Sequence, residues 1–100
     1  MGKIKINKGG NYTVISNHVL QNNNLSLKAK GLYAFMWSLP DTWDYSVSGL
    51  TKVLKEGRDA INEALKELER EGYLVRSILR KGGKFTDMDY TLNEFPDPFM

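Results

Sequence analysis

Residues 46–84 read SVSGLTKVLKEGRDAINEALKELEREGYLVRSILRKGGK, and this stretch decides the fold. Ser46 suits a helix N-cap, because its hydroxyl accepts one of the backbone N–H groups left over at a helix start. The helix that follows is short, with Leu50, Val53 and Leu54 expected on its inner face. Lys55-Glu56-Gly57 is the turn after it, where Gly57 is expected to adopt a conformation that other residues resist. The next helix covers about Arg58 to Glu71. Its apolar set Ile61, Ala64, Leu65 and Leu68 recurs at helical spacing, and Gly72 stands at the C′ position of a helix end. Tyr73 to Arg80 is strand-like, and both of its alternating sets contain apolar residues, so its inward face stays open. Lys81-Gly82-Gly83-Lys84 reads as a hairpin tip, with Met88, Tyr90 and Leu92 alternating along the returning strand.

Two short helices around a glycine turn, followed at once by a β-hairpin, indicate an α+β winged helix-turn-helix. It would have a three-helix core, a C-terminal β-hairpin wing and a short N-terminal extension. The remaining core helix lies upstream, from Ser26 to Leu39. Ala29, Leu32, Met36 and Leu39 mark one face of it, and Pro40 and Asp41 stop it. Leu27, Gly31, Ala34 and Ser38 form a second, mostly small stripe, so the helix is expected to be buried on more than one side. Gly31 costs about 1 kcal/mol against alanine there, a cost that close backbone packing would offset. Trp43-Asp44-Tyr45 reads as a short extended connector or strand, Tyr12 to Ile15 as another extended piece, and Ser16 caps a turn of helix through Leu20. Domain limits follow: a flexible basic arm over 1–11, the folded unit over 12–94, and a linker or cut end over 95–100 with more protein expected beyond.

Composition narrows the function. The 100 residues contain no cysteine and one histidine, which leaves no disulfide framework and almost nothing for thiolate, metal or Ser/Cys–His chemistry. No apolar run approaches the ~18 residues of a membrane span, and no apolar segment follows the basic N-terminus as in a secretory leader. The expected location is the cytoplasm. Net charge is +2, unevenly spread. Residues 1–58 hold eight Lys/Arg against three Asp/Glu, whereas residues 59–100 hold six against nine. A polyanion would meet the first half and the loop near Lys84 more readily than the rest.

With Ile61, Leu65 and Leu68 inward, helical geometry turns Arg58, Asp59, Asn62, Glu63 and Lys66 outward. In a helix-turn-helix the second helix offers its N-terminal residues to base edges in the major groove. Arg58 suits guanine and Asn62 suits adenine, each through two hydrogen bonds. Lys52, Lys55 and Lys66 suit phosphates, which fix position rather than sequence choice. Arg80, Lys81 and Lys84 around Gly82-Gly83 suit a wing that follows the backbone or enters the minor groove. Lys3, Lys5 and Lys8 belong to the arm, a polar leader that adds at most phosphate contacts. The opposing reading of the same helix is a solvated face stabilised by pairs such as Glu67–Arg70. Tyr33, Phe35, Trp37, Trp43 and Tyr45 are expected in the core rather than as stacking platforms for single-stranded bases. His18 reads as a surface or cap residue. Asp87 and Asp89 share a strand face but have no pocket to perturb a carboxyl, so no active site is built and an enzyme is not expected.

The run from Leu25 to Arg76, with KAKGLYA, SLPDTWDYS and LKELEREGYL as its most specific stretches, resembles the N-terminal winged-helix domain of DnaD-like replication proteins. It is also similar to the replisome organisers of phages and plasmids in Gram-positive bacteria. The resemblance implies binding of origin or phage DNA, or help in oligomerising a replisome-loading protein, with a separate C-terminal domain. It also implies DNA contacts at Arg58, Asn62, Lys66, Lys81 and Lys84. Asp59 and Glu63 depart from a strongly basic recognition helix. The expectation is therefore a non-enzymatic reader of double-stranded DNA at the front of a phage- or plasmid-type replication initiator. It would carry no cofactor and no small-molecule substrate, with self-association and other replisome proteins as further partners. The rivals are a protein–protein oligomerisation module and a transcriptional regulator.

Overall fold

Three serines start three helices. Ser16, Ser26 and Ser46 each accept a backbone N–H on the side-chain oxygen, from His18 at 3.1 Å, Ala29 at 3.1 Å and Gly49 at 2.9 Å. They open α1 (Asn17–Leu20), α2 (Leu27–Trp37) and α3 (Val47–Val53). The fourth helix, α4 (Arg58–Arg70), begins at Gly57 without a side-chain cap and ends in a Schellman turn. Gly72 sits there at φ 86°, with Gly72 N–H donating to the Glu69 carbonyl and Tyr73 N–H to the Leu68 carbonyl. β1 (Leu74–Lys81) and β2 (Lys84–Leu92) follow as an antiparallel hairpin. The computed structural model describes residues 11–40 and 42–96, and of residues 79–81 and 84–87 the main chain alone. The basic arm up to Gly10 lies outside the described residues.

α4 is the centre of the core. Ile61, Ala64, Leu65 and Leu68 are all buried, against Leu32, Tyr33 and Met36 of α2 and Leu50 of α3. Val19, Leu25, Tyr73 and Leu74 close the two ends. This is the expected α+β winged helix-turn-helix, with α2, α3 and α4 as its helical core and the hairpin as its wing. Gly82 and Gly83 turn the hairpin with φ of 62° and 81°, the paired positive values of a two-residue type I′ turn. The register pairs Leu74 with Leu92, Arg76 with Tyr90 and Ile78 with Met88. Leu74, Tyr90 and Leu92 pack on the core at the hairpin base, whereas Ile78 further out is 51% exposed, and a bulge interrupts the ladder between Leu79 and Arg80.

Four expectations need correction. The stripe Leu27, Gly31, Ala34 and Ser38 is not a second buried face: Leu27 is 88% exposed and a Cβ on Gly31 would meet nothing within 4 Å. Gly31 therefore has no packing compensation, and Gly31→Ala is expected to raise stability by about 1 kcal/mol in a thermal or urea melt. Val53 is 54% exposed, and half-buried Val47 takes its expected place against the core. A helix of two turns has room for few inward positions, and Leu50 occupies the centre. Gly57 has φ −80°, an ordinary extended value, so no special conformation requires glycine there. Finally, Trp43–Tyr45 forms no strand; among the described residues the sheet has two strands.

That connector reaches the hairpin through side chains. Tyr45 stacks on Tyr90 at 5.5 Å between ring centroids, Trp43 meets Tyr45 edge-on, and the Tyr45 hydroxyl donates to the Met36 carbonyl. Arg76 lies over the other side of the network, 5.7 Å from the Tyr90 ring, and donates to Glu69 of α4. The aromatic residues are thus core and its rim, as expected, with Tyr33 fully buried. Burial, reinforced by Glu94 and Tyr73, pushes the Tyr33 hydroxyl up to about 12, so it stays a donor, to the Asn93 carbonyl. Asn93 also donates from its backbone to the Tyr73 carbonyl and from its side chain to the Gly72 carbonyl. His18 is exposed on α1, as expected, and its Nδ1 shares a 2.7 Å hydrogen bond with the Tyr73 hydroxyl.

Candidate nucleic-acid interface

The exposed side of α4 is ordered by its own periodicity. Residues four apart form one ridge along a helix, so Arg58, Asn62, Lys66 and Arg70 share a line from the first turn to the last. Arg58, Lys66 and Arg70 are exposed and Asn62 is half-buried. Asp59 and Glu63 are exposed on the neighbouring ridge. The acids noted in the sequence therefore run beside the cationic line rather than within it. Lys52 near the end of α3 and Lys55 in the turn are exposed as well. None of Lys52, Lys55, Arg58, Lys66 and Arg70 forms an ion pair with a described carboxylate.

Lys81 and Lys84 flank the glycine turn in the main chain of the hairpin, while their side chains lie outside the described residues. Lys52 on α3, Lys55 in the turn, and Arg58, Asn62 and Lys66 on α4 thus all belong to the helix-turn-helix. The wing contribution rests on the placement of the tip.

Two residues of this surface escaped the sequence reading. Arg70 enters the sequence reading only in the opposing account, as a partner of Glu67, but the Glu67 carboxylate turns to the start of α2. It accepts the Ser26 N–H at 2.9 Å and the Ser26 hydroxyl at 2.7 Å, fastening α2 to α4. These bonds, the backbone one first, hold the Glu67 carboxyl below its ordinary value, with Arg70 and Lys28 adding weaker attraction. The contribution is fully present above the ordinary value of 4.5 and is lost as pH falls through the lowered folded value. Glu67→Gln should accordingly be less stable than the parent in urea melts at neutral pH, with the gap closing as pH falls below 4.5 and through the lowered folded value.

The other is Ser48. Its hydroxyl accepts a hydrogen bond of 2.9 Å from Arg58 Nη2, joining α3 to the first residue of α4. Nothing in the spacing of residues ten apart signals this contact, because it depends on the angle between the two helices.

No group of three or more His, Asp or Glu is placed to hold a metal ion among the described residues, and no helix there is long and apolar enough to cross a membrane. Comparison with protein families finds a match to a model described as a helix-turn-helix domain over residues 23–74, just over half of the 100-residue chain. The match spans α2, α3 and α4 and reaches the first residue of β1. No curated protein and no solved structure matches the chain.

Proposed function

The chain belongs to the helix-turn-helix domain family, and on that footing we propose that it binds double-stranded DNA, with α4 in the major groove and the hairpin on the backbone. The observation that carries this reading is the ridge Arg58–Asn62–Lys66–Arg70, three exposed cations and one amide on the outer side of the second helix of the motif. Arg58 and Asn62 supply paired donors and acceptors for base edges, and Lys52, Lys55 and Lys66 supply charge for phosphates. We place no catalytic step, cofactor or small-molecule substrate in this domain. The resemblance of Leu25–Arg76 to DnaD-like proteins and replisome organisers supports a role at the front of a replication initiator in the cytoplasm. A transcriptional regulator would use the same chemistry on a different DNA site.

The test is fluorescence anisotropy on duplexes selected from a randomised pool. Arg58→Ala and Asn62→Ala should each relax preference at one base by about 1–3 kcal/mol, whereas Lys66→Ala should weaken all sequences alike. Equal affinity of all three variants and the parent would refute the reading.

Self-association keeps one observation in its favour. Exposed Leu27 lies one turn before Gly31, which lines a shallow groove of about 230 Å³ with Leu32, Phe35, Leu54 and Ile61. Sedimentation of the parent without DNA separates this second reading from the first.

A further inference from the structure

We infer that Ser48 is a positioning residue for base recognition: it fixes the Arg58 guanidinium before DNA arrives. The inference rests on the duplex-binding reading above and adds a residue from the other helix of the motif. The 2.9 Å bond from Arg58 Nη2 to Ser48 Oγ crosses from α4 to α3 and lies exposed on the same side as the ridge.

Among the described residues, Arg58 is the one hydrogen-bond partner of the Ser48 hydroxyl. Ser46, two residues earlier, already caps α3, and the Thr51 hydroxyl uses the Ser48 carbonyl rather than its side chain. Arg58 is the partner that remains. A guanidinium carries five N–H donors arranged so that both its end and its Nε side form two-donor forks. Ser48 occupies one hydrogen of Nη2. Whichever hydrogen that is, the other Nη2–H still completes one fork, either with Nη1–H or with Nε–H. A guanine therefore still meets two parallel donors, as its O6 and N7 require.

What the serine removes is freedom. An exposed arginine samples many rotamers. Holding one nitrogen on α3 narrows that ensemble towards a single outward pose, so less freedom is lost on docking. Because α3 carries the acceptor, the pose is tied to the angle between the two helices as well as to α4 itself.

The full chain should be tested on a selected duplex and on the same duplex with the preferred guanine replaced. Ser48→Ala should lose roughly three- to tenfold in affinity for the selected duplex and little for the replaced one, so discrimination falls by that factor. The salt dependence should stay as in the parent, because no phosphate contact is removed. Ser48→Thr, which keeps the hydroxyl, should restore discrimination, and Ser48→Ala should have no further effect in an Arg58→Ala background. A uniform loss on both duplexes would make Ser48 a phosphate contact and overturn the inference. Unchanged discrimination in Ser48→Ala, with Arg58→Ala still losing it, would overturn the inference while leaving duplex reading intact. A parent that binds no duplex would overturn both.

Discussion

Raising the salt from about 50 to about 200 mM is expected to weaken duplex binding by roughly 500-fold. Lys52, Lys55, Lys66, Lys81 and Lys84 are the five lysines assigned to phosphates on the helix-turn-helix and the hairpin. Each neutralised phosphate releases about 0.9 of a counterion, so about five contacts give a slope near −4.5 in a plot of log affinity against log salt. A fourfold rise in salt then costs a factor of roughly 500. Lys66→Ala should lower the slope by about one without changing which base is preferred. A flat titration is incompatible with any reading that places these lysines on a polyanion, since the release of condensed ions cannot be hidden by other contacts.

The largest effect on stability is expected from Leu65→Ala. Leu65 has no exposed surface and belongs to the inward set of α4, between α2 and α3. Truncating such a leucine removes its transfer free energy and leaves a cavity, together about 3 kcal/mol. For a domain of this size that lowers Tm by roughly 12–24 °C, read directly by calorimetry. The measurement also checks the surface chemistry. Leu65 and exposed Arg70, five residues apart, lie about 140° from one another around the helix, so a change below about 0.5 kcal/mol would mean that α4 is rotated and that its cationic ridge points elsewhere.

α4 was readable from sequence because a helix with a single apolar face encodes its orientation in spacing alone. Ile61, Ala64, Leu65 and Leu68 leave no other way to bury it, and Gly72 ends it with a conformation that glycine adopts readily. The hairpin was readable for a similar reason, since Gly82-Gly83 suits few other turns. α2 was harder. Its residues are apolar or small on several sides, so composition suggested two buried faces where the fold supplies neighbours for one; Leu27 is uncovered at the first turn. Val53 failed likewise, because a seven-residue helix offers too short a pattern to choose between sides. The site was legible as a set of residue types on α4, and illegible where it depends on contacts between elements. The bonds from Ser26 to Glu67 and from Arg58 to Ser48 each join separate helices, and no periodicity within one helix reports its angle to another.

Asn93 sets where this domain can be excised for grafting onto another protein. The segment shared with the family stops at Leu74, but the bonds that fasten the base run from Asn93 back to Gly72, Tyr73 and Tyr33. A fragment trimmed at Leu74 would strand the carbonyls of Gly72 and Tyr73 and the hydroxyl of Tyr33, each costing about 1–3 kcal/mol if it stays dry. A fusion joint therefore belongs beyond Asn93.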